Sequence, residues 1–323
     1  MEVFKKLYVK PEETLWQGRI DGQERMFCRW HQILTCVDLN DNPNLDNAVV
    51  LLGFCSDEGV RRNSGREGAK AAPDYLRKVL ANLPIHFSEN IRLLDAGNIH
   101  TNGYDLESAQ QALQWAVTLI KEAGGFPLLI GGGHEITYGH FKGLQSGDRS
   151  LGVINIDAHL DMRPLVDGKG NSGTSFYQLN KELFDQGKVL QYLAIGIQEI
   201  SNTQGLIQYA ESQGVDIIFA EDIQVDNLQQ VKARIDGFVN RVDDLYLTID
   251  MDAFSASFAP GVSAVALGGL IPDNMFYSIL KHIYAQPKLI SLDIAELNPR
   301  FDLDERTARL AANFIFHLFK NIS

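Results

Sequence analysis

Cysteine is scarce in this chain, with three residues (Cys28, Cys36 and Cys55) among 323. So small and odd a number excludes a disulfide framework and fits a reducing compartment, with Cys55 reading as a small apolar filler at a strand end. No run approaches 18 uninterrupted apolar residues, so no membrane-spanning helix is expected. The first 21 residues lack the apolar core of a signal peptide, and the expected location is cytoplasmic. Basic charge is also in deficit. Lys and Arg number 29 against 41 Asp and Glu, a formal net charge of −12. A nucleic-acid binder needs clustered cations against phosphate, so that class is excluded too. Proline and glycine are not in excess and apolar content is ordinary at 45%, which rules out a disordered chain.

What remains is a globular protein, of a length that fits two domains or one large α/β domain. Residues 1–46 are polar and irregular, and read as an N-terminal extension packed on the main domain, 47–323. From Asn47 onward, eight short apolar runs recur: 47–54, 91–97, 126–132, 151–159, 190–197, 215–220, 244–252 and 288–297. Helix-like stretches separate many of them, including APDYLRKVLANL, LESAQQALQWAVTLIKEAG, NLQQVKARIDGFVNRV and DNMFYSILKHIYA, with a last one near the C-terminus. Strands that are apolar on both faces and joined by helices predict a mostly parallel sheet covered on both sides. Eight βα units also fit a closed barrel. In either case polar residues at the carboxyl ends of strands mark the site.

Three strand ends carry them. LGVINI runs into Asp157-Ala-His159-Leu-Asp161, LYLTI into Asp250-Met-Asp252, and FPLLI into Gly131-Gly-Gly-His134-Glu135. In extended backbone, residues two apart point the same way, so Asp157, His159 and Asp161 converge if the chain does not bend after His159. Ionised carboxylates at buried strand ends cost several kcal/mol unless paired or metal-bound. One such pair is commonly a cap or a turn; three clusters at three strand ends point to a metal centre. Four aspartates and two histidines without a thiolate suit Mn²⁺, and the imidazoles also admit Zn²⁺. Six donors exceed one tetrahedral site, which makes two ions sharing carboxylates the natural count.

GGGHE (131–135), NIDAHLD (155–161), TIDMD (248–252) and SLDIAELNP (291–299), in this order, resemble the signature of the ureohydrolase family, which includes arginase and agmatinase. The resemblance runs from about residue 47 to the C-terminus. It implies a three-layer α/β/α fold with an eight-stranded mostly parallel sheet, and two Mn²⁺ per subunit. By motif position, His134, Asp157, Asp161 and Asp250 would hold one ion; Asp157, His159, Asp250 and Asp252 would hold the other. It further implies attack of activated water on an amidine carbon, with Glu296 holding the amidinium and Asp161 shuttling a proton. Asp293 is read as a structural partner of a neighbouring loop. A homo-oligomer is compatible with the family, without fixed symmetry.

Departures from arginase and agmatinase point to a branch. Ser172 stands where those relatives carry a histidine. Arg163 follows the ligand Asp161 by two residues where they have a neutral side chain, and a guanidinium there favours an anionic substrate. Arg61, Arg62 and Arg66 follow the first strand. With WQGRID (16–21) and FAPGVSA (258–264), these features resemble the formimidoylglutamase branch. That resemblance implies a small substrate bearing carboxylates and an amidine, N-formimidoyl-L-glutamate, cleaved to L-glutamate and formamide in histidine degradation. Arg163, Arg61, Arg62 and Ser172 are its expected contacts. The alternative is another anionic guanidino or amidino substrate, such as a guanidino acid releasing urea.

Overall fold

The computed structural model describes residues 1–321. Among these residues ten strands form one sheet: β1 Tyr8–Val9, β2 Thr35–Cys36, β3 Ala48–Cys55, β4 Arg92–His100, β5 Phe126–Ile130, β6 Leu151–Ile156, β7 Gln191–Ile197, β8 Asp216–Phe219, β9 Asp244–Asp250 and β10 Leu289–Ala295. Eight of them, β3 to β10, run parallel in the order β4-β3-β5-β10-β9-β6-β7-β8. The order is that of an open sheet, not the closed barrel that eight βα units also allowed. β1 pairs antiparallel, and β2 parallel, with the outer edge of β4. These two-residue pairings contain no hydrophobic run, so periodicity does not announce them.

Among the described residues ten α-helices accompany the sheet: α1 Glu2–Leu7, α2 Glu58–Arg62, α3 Ala72–Leu80, α4 Leu106–Glu122, α5 Ile136–Leu144, α6 Ser175–Asp185, α7 Gln204–Ser212, α8 Leu228–Val239, α9 Asn274–Tyr284 and α10 Arg306–Asn321. Side chains alternate across a strand, so a run apolar at every position feeds two cores. β3 shows this directly. Leu51 joins a cluster with α3, α8, α9 and α10, while Val50 and Leu52 join a second cluster with α1, α4, α5 and α6. Each fully buried Leu, Ile or Val contributes about 1.5–3 kcal/mol. The helix starts are set locally: the Asp105 side chain accepts the Ser108 N–H of α4, and Asp273 accepts two N–H groups of α9.

The N-terminal segment is tied down by polar as well as apolar contacts. Trp16 Nε1 donates to Asp95 Oδ2 at 2.7 Å, and Asp95 is also paired with the buried Arg77 guanidinium at 2.8 Å. Chain order and sheet order diverge most at the centre of the sheet. β9 and β10, the last strands, insert between β5 and β6. The strands β5, β10, β9 and β6 are therefore consecutive neighbours, and their carboxyl ends open on one side of the sheet. Ligand crevices of parallel sheets form at such a reversal.

Candidate metal centre

Each of these four strand ends presents a polar motif. β5 ends in the glycine turn 131–133, which is stitched to β10 by Gly131 N–H to Ile294 O (2.7 Å) and Glu296 N–H to Gly132 O (2.8 Å). A Cβ at Gly132 would lie 1.6 Å from the Ser56 carbonyl oxygen, so no other residue fits that backbone approach. The turn delivers His134, which is buried, over the sheet. β6 delivers Asp157, whose Oδ1 accepts the His159 N–H at 2.7 Å. β9 delivers Asp250, whose Oδ1 accepts the Asp252 N–H at 2.7 Å. The chain does bend beyond His159, at Asp161 itself, whose φ of +48° is left-handed. The bend carries its Oδ2 to 2.8 Å from His134 Nδ1.

Two groups of donors result. His134, Asp157 and Asp250 have ligand atoms within 4.8 Å of one another, as do Asp157, His159 and Asp252. Asp157 belongs to both. His134 Nδ1 lies 2.8, 3.1 and 3.2 Å from oxygens of Asp161, Asp157 and Asp250, yet it is aligned for a hydrogen bond with none of them. Asp252 Oδ1 and Glu296 Oε2 are likewise buried without partners. Orphaned buried donors and acceptors are costly and require an explanation.

Electrostatics supplies it. Burial first, then Asp250, pushes the Asp252 carboxyl well above the carboxylate range. Burial and Asp157 raise Asp161 to about 6. Asp252, with Asp157, drives the His159 imidazole up to about 12. His134 rises well above its ordinary value because Asp157, Asp161 and Asp250 outweigh its burial. Asp157 is held low against its burial by His134 and His159. The four aspartates carry four formal charges, which two divalent cations match, and the all-oxygen and imidazole donor set suits Mn²⁺. The residues present therefore fit a binuclear metal group.

The cluster opens into a cavity of about 320 Å³ lined also by Asn63, Arg66, Arg163, Ser172 and Glu296. A larger cleft of about 420 Å³ beside the ends of β7 and β8 is mostly apolar and contains no imidazole or guanidinium. Chemistry, not size, picks the site.

A family model described as the Arginase family matches residues 47–320. The chain belongs to the arginase family. A formimidoylglutamase of Clostridium tetani is 39% identical, the match covering 98% of this chain and 96% of that protein. Among solved structures, Trypanosoma cruzi formiminoglutamase with Mn²⁺ is similar at a TM-score of 0.76 and 27% identity, covering 97% of this chain and 99% of that one. The formimidoylglutamase of Bacillus subtilis has a TM-score of 0.76 and 25% identity, covering 85% and 87%. Membership makes the chain a metal-dependent, amidine-cleaving hydrolase, as the four motifs lead one to expect.

Around this cavity, the arginines separate. Arg163 lines it, exposed, and its guanidinium makes one long polar contact, 3.4 Å to Asn63 Oδ1. Ser172 lines it too and accepts a hydrogen bond from Asn63 Nδ2 at 3.1 Å. Arg61 and Arg62 do not line the cavity. Arg61 grips both Glu58 oxygens at 2.6 Å and lies 4.4 Å over the Tyr104 ring. Arg62 is committed to Glu58, Glu107 and two carbonyl oxygens. Arg66, absent from the expected contacts, is at the cavity wall, but its fork is spent on the Val262 and Ser263 carbonyls. Asn63 was also missed, and the only signal for it was its place in an arginine-rich loop. Glu296 sits where the motif puts it, with a φ of +62°, Oε1 accepting the His134 N–H at 2.9 Å and Oε2 unpartnered. Burial first, then Asp250, pushes its carboxyl well above the usual range.

Proposed function

We propose that the chain hydrolyses N-formimidoyl-L-glutamate to L-glutamate and formamide, with two Mn²⁺ held by the ligands His134, Asp157, His159, Asp161, Asp250 and Asp252. One observation carries the substrate assignment: an arginine with an uncommitted guanidinium, Arg163, shares a cavity with the His/Asp cluster. Relatives named formimidoylglutamase over nearly the whole chain support the same reading.

When bound, the two ions supply Lewis acidity and lower the pKa of water. The protein's own groups do the rest. Arg163 pairs with a substrate carboxylate, and the Asn63–Ser172 hydrogen bond holds the adjacent wall. Glu296 Oε2, aimed into the cavity with no internal partner, accepts an amidinium N–H. Asp161 carries a proton to the departing glutamate nitrogen. Arg61 and Arg62 hold the loop that bears Asn63 rather than the substrate. We assign the enzyme to the cytoplasm and to histidine degradation, and treat residues 1–46 as an extension of one catalytic domain. Among the described residues no helix is long and apolar enough to cross a membrane.

Product analysis after Mn²⁺ loading tests this, with N-formimidoyl-L-glutamate, L-arginine, agmatine and guanidino acids offered in parallel. Formamide and glutamate from the first substrate alone are expected. Urea from a guanidino acid would retain the centre and overturn the substrate.

A further inference from the structure

Beneath His134, on the side away from the cavity, lies a polar layer sealed inside the protein. Thr248 and Tyr246 come from β9, Ser291 and Asp293 from β10, and His140 from α5; all five are fully buried. His134 Nε2 lies 2.9 Å from Thr248 Oγ1, and that hydroxyl donates to Asp293 Oδ1 at 2.6 Å. The other oxygen, Asp293 Oδ2, takes the Tyr246 hydroxyl and meets His140 Nδ1 at 2.6 Å. His140 Nε2 in turn faces Ser291 Oγ at 2.6 Å, and Ser291 donates to the Pro127 carbonyl at 2.7 Å.

Proton accounting gives this layer a direction. A hydroxyl has one hydrogen, and a carboxylate only accepts. Thr248 gives its hydrogen to Asp293, so toward His134 it offers a lone pair. His134 must therefore keep hydrogen on Nε2, which makes Nδ1 the nitrogen that a cation among Asp157, Asp161 and Asp250 would meet. Were Thr248 turned the other way, Nε2 would need the lone pair and Nδ1 the hydrogen, closing the ligand position. Asp293, held by Tyr246 and His140, prevents that rotation.

We propose that Thr248 and Asp293 are positioning residues that lock the His134 ring as its Nε2–H tautomer, so that the ion on the His134 side depends on them and the ion on the His159 side does not. The inference rests on the two-ion reading above. Partners of this kind commonly change metal affinity 10- to 100-fold.

The test is Mn²⁺ titration of the metal-free full chain by calorimetry, with electron paramagnetic resonance to distinguish coupled from isolated ions. The unaltered chain is expected to bind two equivalents. Thr248→Val, nearly the same shape, should bind one as the unaltered chain does and the other at least about tenfold more weakly. Thr248→Ser, which restores the hydroxyl, should recover the second ion to within a few-fold. Undiminished binding of both ions by Thr248→Val, or equal weakening of both, overturns the relay alone. So does a Thr248→Ser protein no better than Thr248→Val. No Mn²⁺ bound by the unaltered chain overturns the two-ion reading and the relay with it.

Discussion

Replacing Arg163 by methionine removes a charge while leaving most of the side chain's bulk, and the structure says where the loss should appear. The guanidinium spends nothing on internal partners beyond one 3.4 Å contact to Asn63, so the fold should barely notice. A charge-assisted pair with a carboxylate reaches about 3 kcal/mol when desolvated; Arg163 is exposed, and solvent screening argues for about 2 kcal/mol. That is roughly a 30-fold change. The substrate carboxylate does not change along the reaction, so the interaction is equal in ground and transition states. Its loss should raise KM and leave kcat nearly alone. Steady-state kinetics on the Mn²⁺-loaded enzyme measures both, and a carboxylate-free N-formimidoyl amine provides the control, on which the two proteins should not differ. Arg163→Lys should recover part of the loss, since a point charge replaces a planar fork. A fall in kcat at constant KM, or the same loss on the carboxylate-free amine, would refute the assignment.

Other expectations follow from commitments made elsewhere in the fold. Arg62→Met should leave KM within about twofold of the parent, yet lower the urea midpoint by an amount equivalent to about 1–2 kcal/mol, because it releases Glu58 and Glu107. Arg77→Met strands Asp95, which is fully buried, and should cost about 3–5 kcal/mol in urea unfolding while kcat per folded molecule stays constant. Mn²⁺ loading near pH 7 should expel protons, since His134, His159 (raised to about 12) and Asp252 are all pushed toward protonated forms that metal ligands cannot keep. The loaded state binds fewer protons, so Mn²⁺ affinity must fall as pH falls. Calorimetry in buffers of different ionisation enthalpy reads the number, and zero would contradict the donor assignment.

Why some of this is legible in the chain and some is not comes down to the range of the interaction involved. A strand buried on both faces must be apolar throughout, so a carboxylate at its end is conspicuous. Asp157 and Asp250 follow from that local contrast alone, and the eight parallel strands follow from the runs themselves. Sheet order is different: nothing in LYLTID or LISLDIA states that β9 and β10 insert between β5 and β6, yet that insertion brings the four motifs together. Arg61 and Arg62 show the same limit. Their arginine-rich loop looks like a substrate clamp until Glu107, 45 positions away, is seen to hold Arg62. Asp293 is visible as an oddity within a buried strand, but its partners Thr248, Tyr246 and His140 are not.

Local backbone strain sets Asp161 and Glu296 apart from the other site residues. Both are non-glycine residues in left-handed conformation, at +48° and +62°. Such a conformation costs about 1–2 kcal/mol for an L-residue, and glycine would relieve it. Glycine takes the left-handed position at several turns of this chain, such as Gly103 and Gly124. At Asp161 and Glu296 the strained carboxylate stands instead, and each aims an oxygen where a relaxed strand could not: Asp161 at His134 Nδ1, and Glu296 at the His134 N–H on one side and the cavity on the other. Strain of this kind, held in place by its surroundings, points to a role. Conformational cost accepted at these two residues is what a pair of side chains acting on the substrate would require; residues that merely fill space would not. Asp161→Gly and Glu296→Gly should therefore relax the backbone, losing little stability or gaining some, while turnover collapses. Parallel losses of stability and activity would instead make both carboxylates part of the scaffold.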